Sequence, residues 1–429
     1  MTHPVRPQAA ISLLTAGNLA IWVAGGARFA LGSWLALELT ADPAAPVWLL
    51  IAELTPTLCL APVFGLLIDR LDRRRLAACV DAVRALAATG VAVSAATGRL
   101  DFWTLVGLAA VAGAGDQLST PSRTALVRQL SAEGQLLSAN ARISVTTQLG
   151  SMAGVAAGGV AADSVPAATA FAAIAACYLI SLCLLLAVRT DSRTAAARPV
   201  TPNESILAGF RTAMGHVRAA GGWSSPFLVV IVLAAFIKTY NSLLPAFSHE
   251  VMHFGSAQFG ALDAAYAVGG LTAGLALVRL TTARSDTGSQ ALQRQAHTGL
   301  VVLAVLTGVF AFSGGFGMAL ALYCGIGAAF QTLTVYMVAC QTLVPLSVYG
   351  RVFSGFNFVG TVLVLVLYGT VSAALHVVSP TLIYLLLAVV LACLAIVQAR
   401  AAAENGGIRR PTPVGRPTRH RPTSGETPP

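Results

Sequence analysis

Residues 65–75 read GLLIDRLDRRR, and they close an apolar run that begins near residue 46. Gly65 stands four residues before Asp69, so the two share one helix face. Arg70, Arg73, Arg74 and Arg75 then make a short basic hairpin before apolar residues resume at position 76. An apolar stretch of about 20 residues that stops at an arginine-rich turn reads as a helix leaving a bilayer on its basic side.

The same pattern recurs along the chain. Apolar runs of spanning length lie near 13–38, 46–68, 76–97, 101–121, 139–162 and 166–188, and again near 224–248, 257–280, 297–313, 316–341, 351–375 and 379–399. The first run carries Asn18 and Arg28, which suits a retained span better than a cleavable leader. The composition agrees, with 429 residues, 56% hydrophobic and 10% charged, and a mean hydropathy of +0.75. A soluble chain carries about a quarter charged residues, so a water-soluble enzyme is excluded. The expected fold is all-α membrane, with twelve transmembrane helices in two pseudosymmetric six-helix bundles.

The basic residues sort by side. Among the connections between spans, the odd-numbered ones hold a single arginine, Arg99. The even-numbered ones, the span edges that border them and the ends of the chain hold 23 of the 27 Lys and Arg, with Arg142, Arg279 and Arg351 at those edges, and Arg28, Arg84 and Lys238 fall deeper within spans. Lys and Arg stay on the cytoplasmic side, so both termini are expected in the cytoplasm and the net charge of +10 signals topology, with no nucleic-acid partner implied. The expected organisation is a cytoplasmic N-terminus at 1–10, an N-terminal six-helix bundle at 11–188, and a cytoplasmic linker with an amphipathic helix at 189–222. A C-terminal six-helix bundle follows at 223–399, then a Pro/Arg-rich tail at 400–429 too poor in apolar residues to fold. The seven cysteines, Cys59, Cys79, Cys177, Cys183, Cys324, Cys340 and Cys393, contain no CxxC pair and read as small apolar residues.

Sliding the chain on itself by 210 positions lays Arg28 on Lys238 and Glu53 on Asp263. Each base lies in the first span of its half and each acid in the second. Ionisable groups at such depth face the bundle interior, pair with one another or mark an ion pathway, so a duplicated transporter with two matched acid/base pairs is the expectation. Two roles stay open for them: structural ion pairs that close helix contacts, or proton coupling and substrate binding in a central cavity.

The spacing G-x-x-x-D-R-x-[GD]-R-R at 65–74 resembles the loop motif of the major facilitator superfamily, with Asp72 where many members have glycine. Residues 28–40 (RFALGSWLALELT), 121–126 (PSRTAL), 136–141 (LLSANA) and 341–354 (QTLVPLSVYGRVFS) are similar to exporters related to the enterobactin exporter and the macrolide efflux pumps. The resemblance implies a multi-pass protein of the cell (inner) membrane, a monomer that exchanges a small molecule for protons across the lipid bilayer without a cofactor. It also implies that Gly65, Asp69, Arg70, Arg73 and Arg74 form a cytoplasmic gate, which Asp81, Arg84 and Asp116 complete as a charge network. The loop's other reading is purely topogenic. Gly150, Gly154 and Gly158 fall on one helix face where another helix can approach closely. With Gly159 they resemble the antiporter motif of that superfamily, except that Val155 replaces its proline.

Two further patterns bear on function. His249-Glu250-Val251-Met252-His253 is a formal HExxH, which on a helix would set two zinc ligands beside a general base. A zinc-dependent membrane protease is therefore a distant alternative, weakened by Pro245 and Gly255 on either side and by the lack of a third ligand. No GxxxxGK[ST] phosphate loop is present, so ATP-driven transport is not supported.

The charge asymmetry yields a direct test of orientation. A cysteine at Ser424, in a background free of the native cysteines, should resist an impermeant maleimide in intact cells and react after permeabilisation. Labelling without permeabilisation would reverse the topology.

Overall fold

The computed structural model describes residues 7–60, 71–131, 135–188, 215, 226–283, 289–343 and 349–404. Gly65, Asp69 and Arg70, all of the 189–222 linker except position 215, and the tail beyond 404 lie outside the described residues.

The chain is all helical among these residues. The first half contains α1 (Pro7–Thr40), α2 (Ala45–Cys59), α3 (Arg73–Ala96), α4 (Phe102–Leu130), α5 (Leu136–Ser164) and α6 (Ala167–Ala187). The second contains α7 (Pro226–Glu250), α8 (Ser256–Ala283), α9 (Ser289–Phe310), α10 (Phe316–Ala329), α11 (Thr332–Leu343), α12 (Tyr349–Ala374) and α13 (Pro380–Glu404). Eight helical stretches are individually long and apolar enough to cross a membrane; the chain is a multi-pass membrane protein, and among the described residues its thirteen helices make twelve crossings. Because α10 and α11 share one crossing, α13 ends on the face where α1 begins, called here the terminal face.

Local chemistry sets the helix ends. Asp72 caps α3 by accepting a bond from the Arg75 N–H at 2.9 Å, which gives a physical role to the aspartate that stands where relatives of the loop motif carry glycine. Asp101 caps α4 in the same way through the Thr104 N–H at 2.9 Å. Two expected boundaries are corrected. The fourth crossing does not stop at Pro121 but continues to Leu130, because a membrane helix tolerates a proline when its neighbours re-satisfy the freed carbonyl. The tenth crossing is not one helix over 316–341. It turns at Phe330 and Gln331, where the Gln331 side chain donates to the Gly270 carbonyl of α8 at 2.7 Å.

The halves repeat their internal packing: α1 lies on α5, α2 on α4 and α3 on α6, as α7 lies on α12, α8 on α10 and α9 on α13. Between apolar helices in lipid, close approach is what holds, since lipid offers no hydrophobic penalty to escape. The glycine stripe supplies it. A methyl on Gly150 would lie 2.8 Å from Trp22 Cβ and one on Gly158 would lie 2.6 Å from the Ala27 carbonyl oxygen, with Gly154 tighter still against Val23. All three face α1 within the same half. Gly159 instead faces Gly260 of α8, where a methyl would lie 2.8 Å from the Gly260 Cα. There Ser256 also donates to the Gly159 carbonyl at 2.5 Å, joining the two halves.

The second half is filled differently, by fully buried Tyr240, Tyr323, Tyr384, Phe247 and Phe310. Their ring centroids lie 4.8 to 5.9 Å apart in edge-on, tilted and stacked pairs. Each such contact contributes about 0.5–1.5 kcal/mol beyond burial.

Gly154→Val drives a side chain into the α1 backbone and should cost at least the ~1–3 kcal/mol typical of overpacking. Gly25→Ala on α1 meets nothing within 4 Å and should be silent. Thermal unfolding in detergent decides it: equal midpoints for Gly154→Val and wild type would refute the close α1/α5 contact.

Candidate functional site

Ionisable side chains gather inside the first half in two tiers. The lower tier begins at Asp81 on α3, whose side chain has 0% exposure. Asp81 is ion-paired with Arg123 of α4 and accepts from the Ser181 hydroxyl of α6 at 2.8 Å. Arg123 donates further to Ser181 at 2.8 Å and to Ser119 at 3.1 Å. At 1.5 Å rise per residue, Asp81 and Arg123 lie about 10–12 Å from the terminal-face ends of their helices. Breaking such a pair by removing one partner costs about 3–5 kcal/mol, so this tier ties three helices into one rigid unit.

The upper tier is deeper. Arg84, on the next turn of α3, pairs with Asp116 of α4 at 2.5 Å, donates to the Ala112 carbonyl at 3.2 Å and lies 5.8 Å from the Tyr178 ring centroid of α6. Arg28 of α1, buried at 8% exposure, donates to Glu53 of α2 at 3.0 Å. Tyr178 stands within electrostatic reach of both arginines, so the two ion pairs are neighbours through it. Gly113 brings the α4 backbone against the Glu53 carbonyl and Gly115 leaves room for the Arg84 guanidinium.

Asp81 and Arg84 are buried in the first half and Asp116 is partly exposed; none of the three contacts residues 71–75 among the described residues, and Gly65, Asp69 and Arg70, which the expected gate also needs, lie outside them. Arg84 and Asp116 sit beside Arg28 and Glu53. In the loop, Arg73 is exposed, while Arg74 donates to the Leu185 carbonyl at 3.1 Å and to the Leu186 carbonyl. That is a cation on the carbonyl end of α6, a capping contact favoured by the helix dipole. Arg123, Ser181 and Tyr178 escaped the sequence reading. Arg123 lies in the PSRTAL stretch, which a helix end at Pro121 leaves outside the span.

The repeat does not reproduce the pair. Arg28 and Glu53 meet, whereas Lys238 and Asp263 form no ion pair within 4 Å among the described residues. Helices α7 and α8 touch far less than α1 and α2 do, because α8 packs on α10 and α5. Asp263 lies in the electrostatic neighbourhood of Tyr266 and Tyr323, and Lys238 is exposed into a crevice lined by Leu54, Phe227, Ala234, Phe356, Asn357 and Thr361 among others. The crevice thus has walls from α2 of the first half and from α7, α11 and α12 of the second. Tyr368 of α12 spans the junction: its hydroxyl donates to the Lys238 carbonyl at 3.4 Å and it feels the charge of Glu53.

On the face away from the termini the halves are closed against each other. Trp34 stacks on Phe259 at 6.2 Å and meets the His249 ring edge-on at 5.6 Å. His376 Nε2 lies 3.5 Å from Asp42. These contacts also dispose of the HExxH pattern: α7 ends at Glu250 and His253 has φ +55°, so the two histidines do not share a helix face. No group of three metal-binding side chains occurs among the described residues.

Residues 13–367 match the family model described as Major Facilitator Superfamily. An uncharacterized MFS-type transporter of Bacillus subtilis (strain 168), YfiS, is 24% identical over 350 residues, covering 77% of this chain and 80% of that protein. The fold is similar to the crystal structure of nucleoside transporter NupG, with TM-score 0.70, 14% identity, and coverage of 91% of this chain and 98% of that one. A POT family transporter in complex with 5-aminolevulinic acid gives TM-score 0.69 at 12% identity, over 92% and 96% of the two chains. A bacterial homolog of the human lysosomal transporter Spinster, in an inward-facing and unoccupied conformation, gives 0.66 at 13% identity, over 94% and 96%.

Proposed function

We propose that this chain, which belongs to the Major Facilitator Superfamily and is a secondary transporter rather than an enzyme, exports a small amphiphilic molecule in exchange for protons. Alternating access supplies the mechanism: the two halves rock about the α5/α8 contact and expose the crevice to one side at a time. The observation that carries the coupling is the Arg28–Glu53 pair, at 3.0 Å inside the first half and within electrostatic reach of Tyr368 of the second. While the pair stands, Arg28 and Glu53 neutralise each other. Separation of the halves loosens the pair and lets the carboxylate take a proton. Asp263, without a basic partner among the described residues, is the second candidate carrier.

The remaining residues fall into place around that reading. Asp69 and Arg70, with Gly65, Arg73 and Arg74, are proposed to latch the terminal face when it closes, and the basic residues clustered there assign that face to the cytoplasm. The stretches at 28–40, 121–126, 136–141 and 341–354 favour the exporter branch with siderophore, macrolide or related cargo. Proton-coupled uptake is the alternative within the same fold, which is indifferent to direction.

Proteoliposomes given a panel of siderophores, macrolides and dyes under an imposed pH gradient test the reading. Cargo should move uphill against the proton flow. At least one of Glu53→Gln and Asp263→Asn should abolish uphill movement by about tenfold or more while leaving exchange at equal pH intact. If both variants concentrate cargo as the wild type does, the acids are structural; if cargo moves with the protons, the protein is an importer.

A further inference from the structure

We infer that the crevice is a binding site for an amphiphilic anion, a carboxylate or sulfonate on an apolar body, with Lys238 as the group that recognises the charge. The inference deepens the transport reading by naming the class of cargo, and it takes from that reading only that the crevice is where cargo sits.

The argument begins from charge balance. A cation at this depth is costly unless an anion or water stands beside it. About 18 Å separates Lys238 from the start of α7, at 1.5 Å per residue, so it stands near the middle of the bilayer. Its mate in the repeat, Arg28, is neutralised by Glu53. Lys238 has no acid within 4 Å among the described residues, and neither of the two acids nearest in the pattern pairs with it. Glu53 belongs to Arg28, and Asp263 lies with Tyr266 and Tyr323 on the α8/α10 side. The crevice wall thus carries one positive charge that no described residue offsets.

The rest of the wall defines the body of the ligand. Leu54, Val230, Ile231 and Ala234 are apolar, and Phe227 stacks on Phe356 with centroids 4.8 Å apart toward the terminal-face end. Asn357 and Thr361 of α12 line the same space; the Thr361 hydroxyl donates to the Asn357 backbone carbonyl at 2.8 Å, so the Asn357 side-chain amide is the neutral donor for the oxygens that Lys238 leaves unbound. An ammonium head would meet repulsion from Lys238, and a neutral head would leave the lysine uncompensated. A lysine ammonium is also a compact point charge on a flexible stem, suited to anions of varied shape.

The test uses three probes on one scaffold: dansylamino-undecanoic acid, its methyl ester, and the analogue ending in a primary ammonium. Binding to the protein in phosphatidylcholine nanodiscs is read by tryptophan-to-dansyl energy transfer, with empty nanodiscs subtracted. Wild type should bind the acid about tenfold tighter than the ester, as a charge-assisted contact implies, and the ammonium probe weakest. Lys238→Gln should bring acid and ester within about twofold and Lys238→Arg should keep the preference. Asn357→Asp, which sets a fixed negative charge in the same crevice, should erase it independently, so a poorly folded Lys238→Gln does not stall the experiment. Equal affinity for acid and ester in wild type, or an acid preference that survives both Lys238→Gln and Asn357→Asp, overturns the assignment. No gradient is present, so failure of proton coupling leaves the result untouched. Uphill transport of other compounds with no acid preference would in turn sink this assignment alone.

Discussion

An ion in hydrocarbon must be answered by another ion or by water, and the architecture of this chain follows from where that demand is met. In the first half it is met inside the bundle. Asp81 with Arg123 and Ser181 binds α3, α4 and α6, and the Arg84–Asp116 pair adds a second tie between α3 and α4. Those three helices move as a body, whereas Arg28–Glu53 joins only α1 to α2 and is the pair free to open. In the second half the interior is packed with rings around Tyr240 and Phe310, and the basic residue in the corresponding place is left facing the crevice. A first half braced by its charged α3, α4 and α6 core and a second half packed with rings, meeting through glycine at α5 and α8, are the mechanical requirements for rocking.

The mechanism draws on the asymmetry between two positions that the repeat makes equivalent. Arg28 and Lys238 occupy matching sites, yet one is neutralised and the other is available. Were both paired, the crevice would hold no charge to recognise cargo; were both free, nothing would link cargo movement to a proton. Tyr368, between Glu53 and the Lys238 backbone, stands where a change at one is felt at the other.

Much of this was legible in the sequence. Apolar run length and the basic turn at 70–75 give the helical membrane fold, and the 210-residue shift picks out Arg28 and Glu53 before any contact is known. The glycine stripe likewise announces a close helix approach. What escaped has physical causes. A repeat preserves positions along helices but not which helix a side chain faces, so Lys238 and Asp263 were expected to meet and do not. Proline ends a helix in water but need not do so in lipid, which hid Arg123 and the lower tier. The break at Phe330 and Gln331 contains neither glycine nor proline; it depends on a glutamine reaching the Gly270 carbonyl of another helix, a tertiary contact that no local pattern encodes.

The central claim is that protonation and rocking are one event. Paired spin labels test it without knowledge of the cargo: one pair at Asp42 and His376 on the closed face, another at Arg128 and Arg400 on the terminal face. Distances measured by pulsed electron resonance between acidic and alkaline pH should shift in opposite senses at the two faces, and Glu53→Gln should hold both near one limit. Distances that ignore pH in the wild type, or that lengthen together at both faces, would contradict the account.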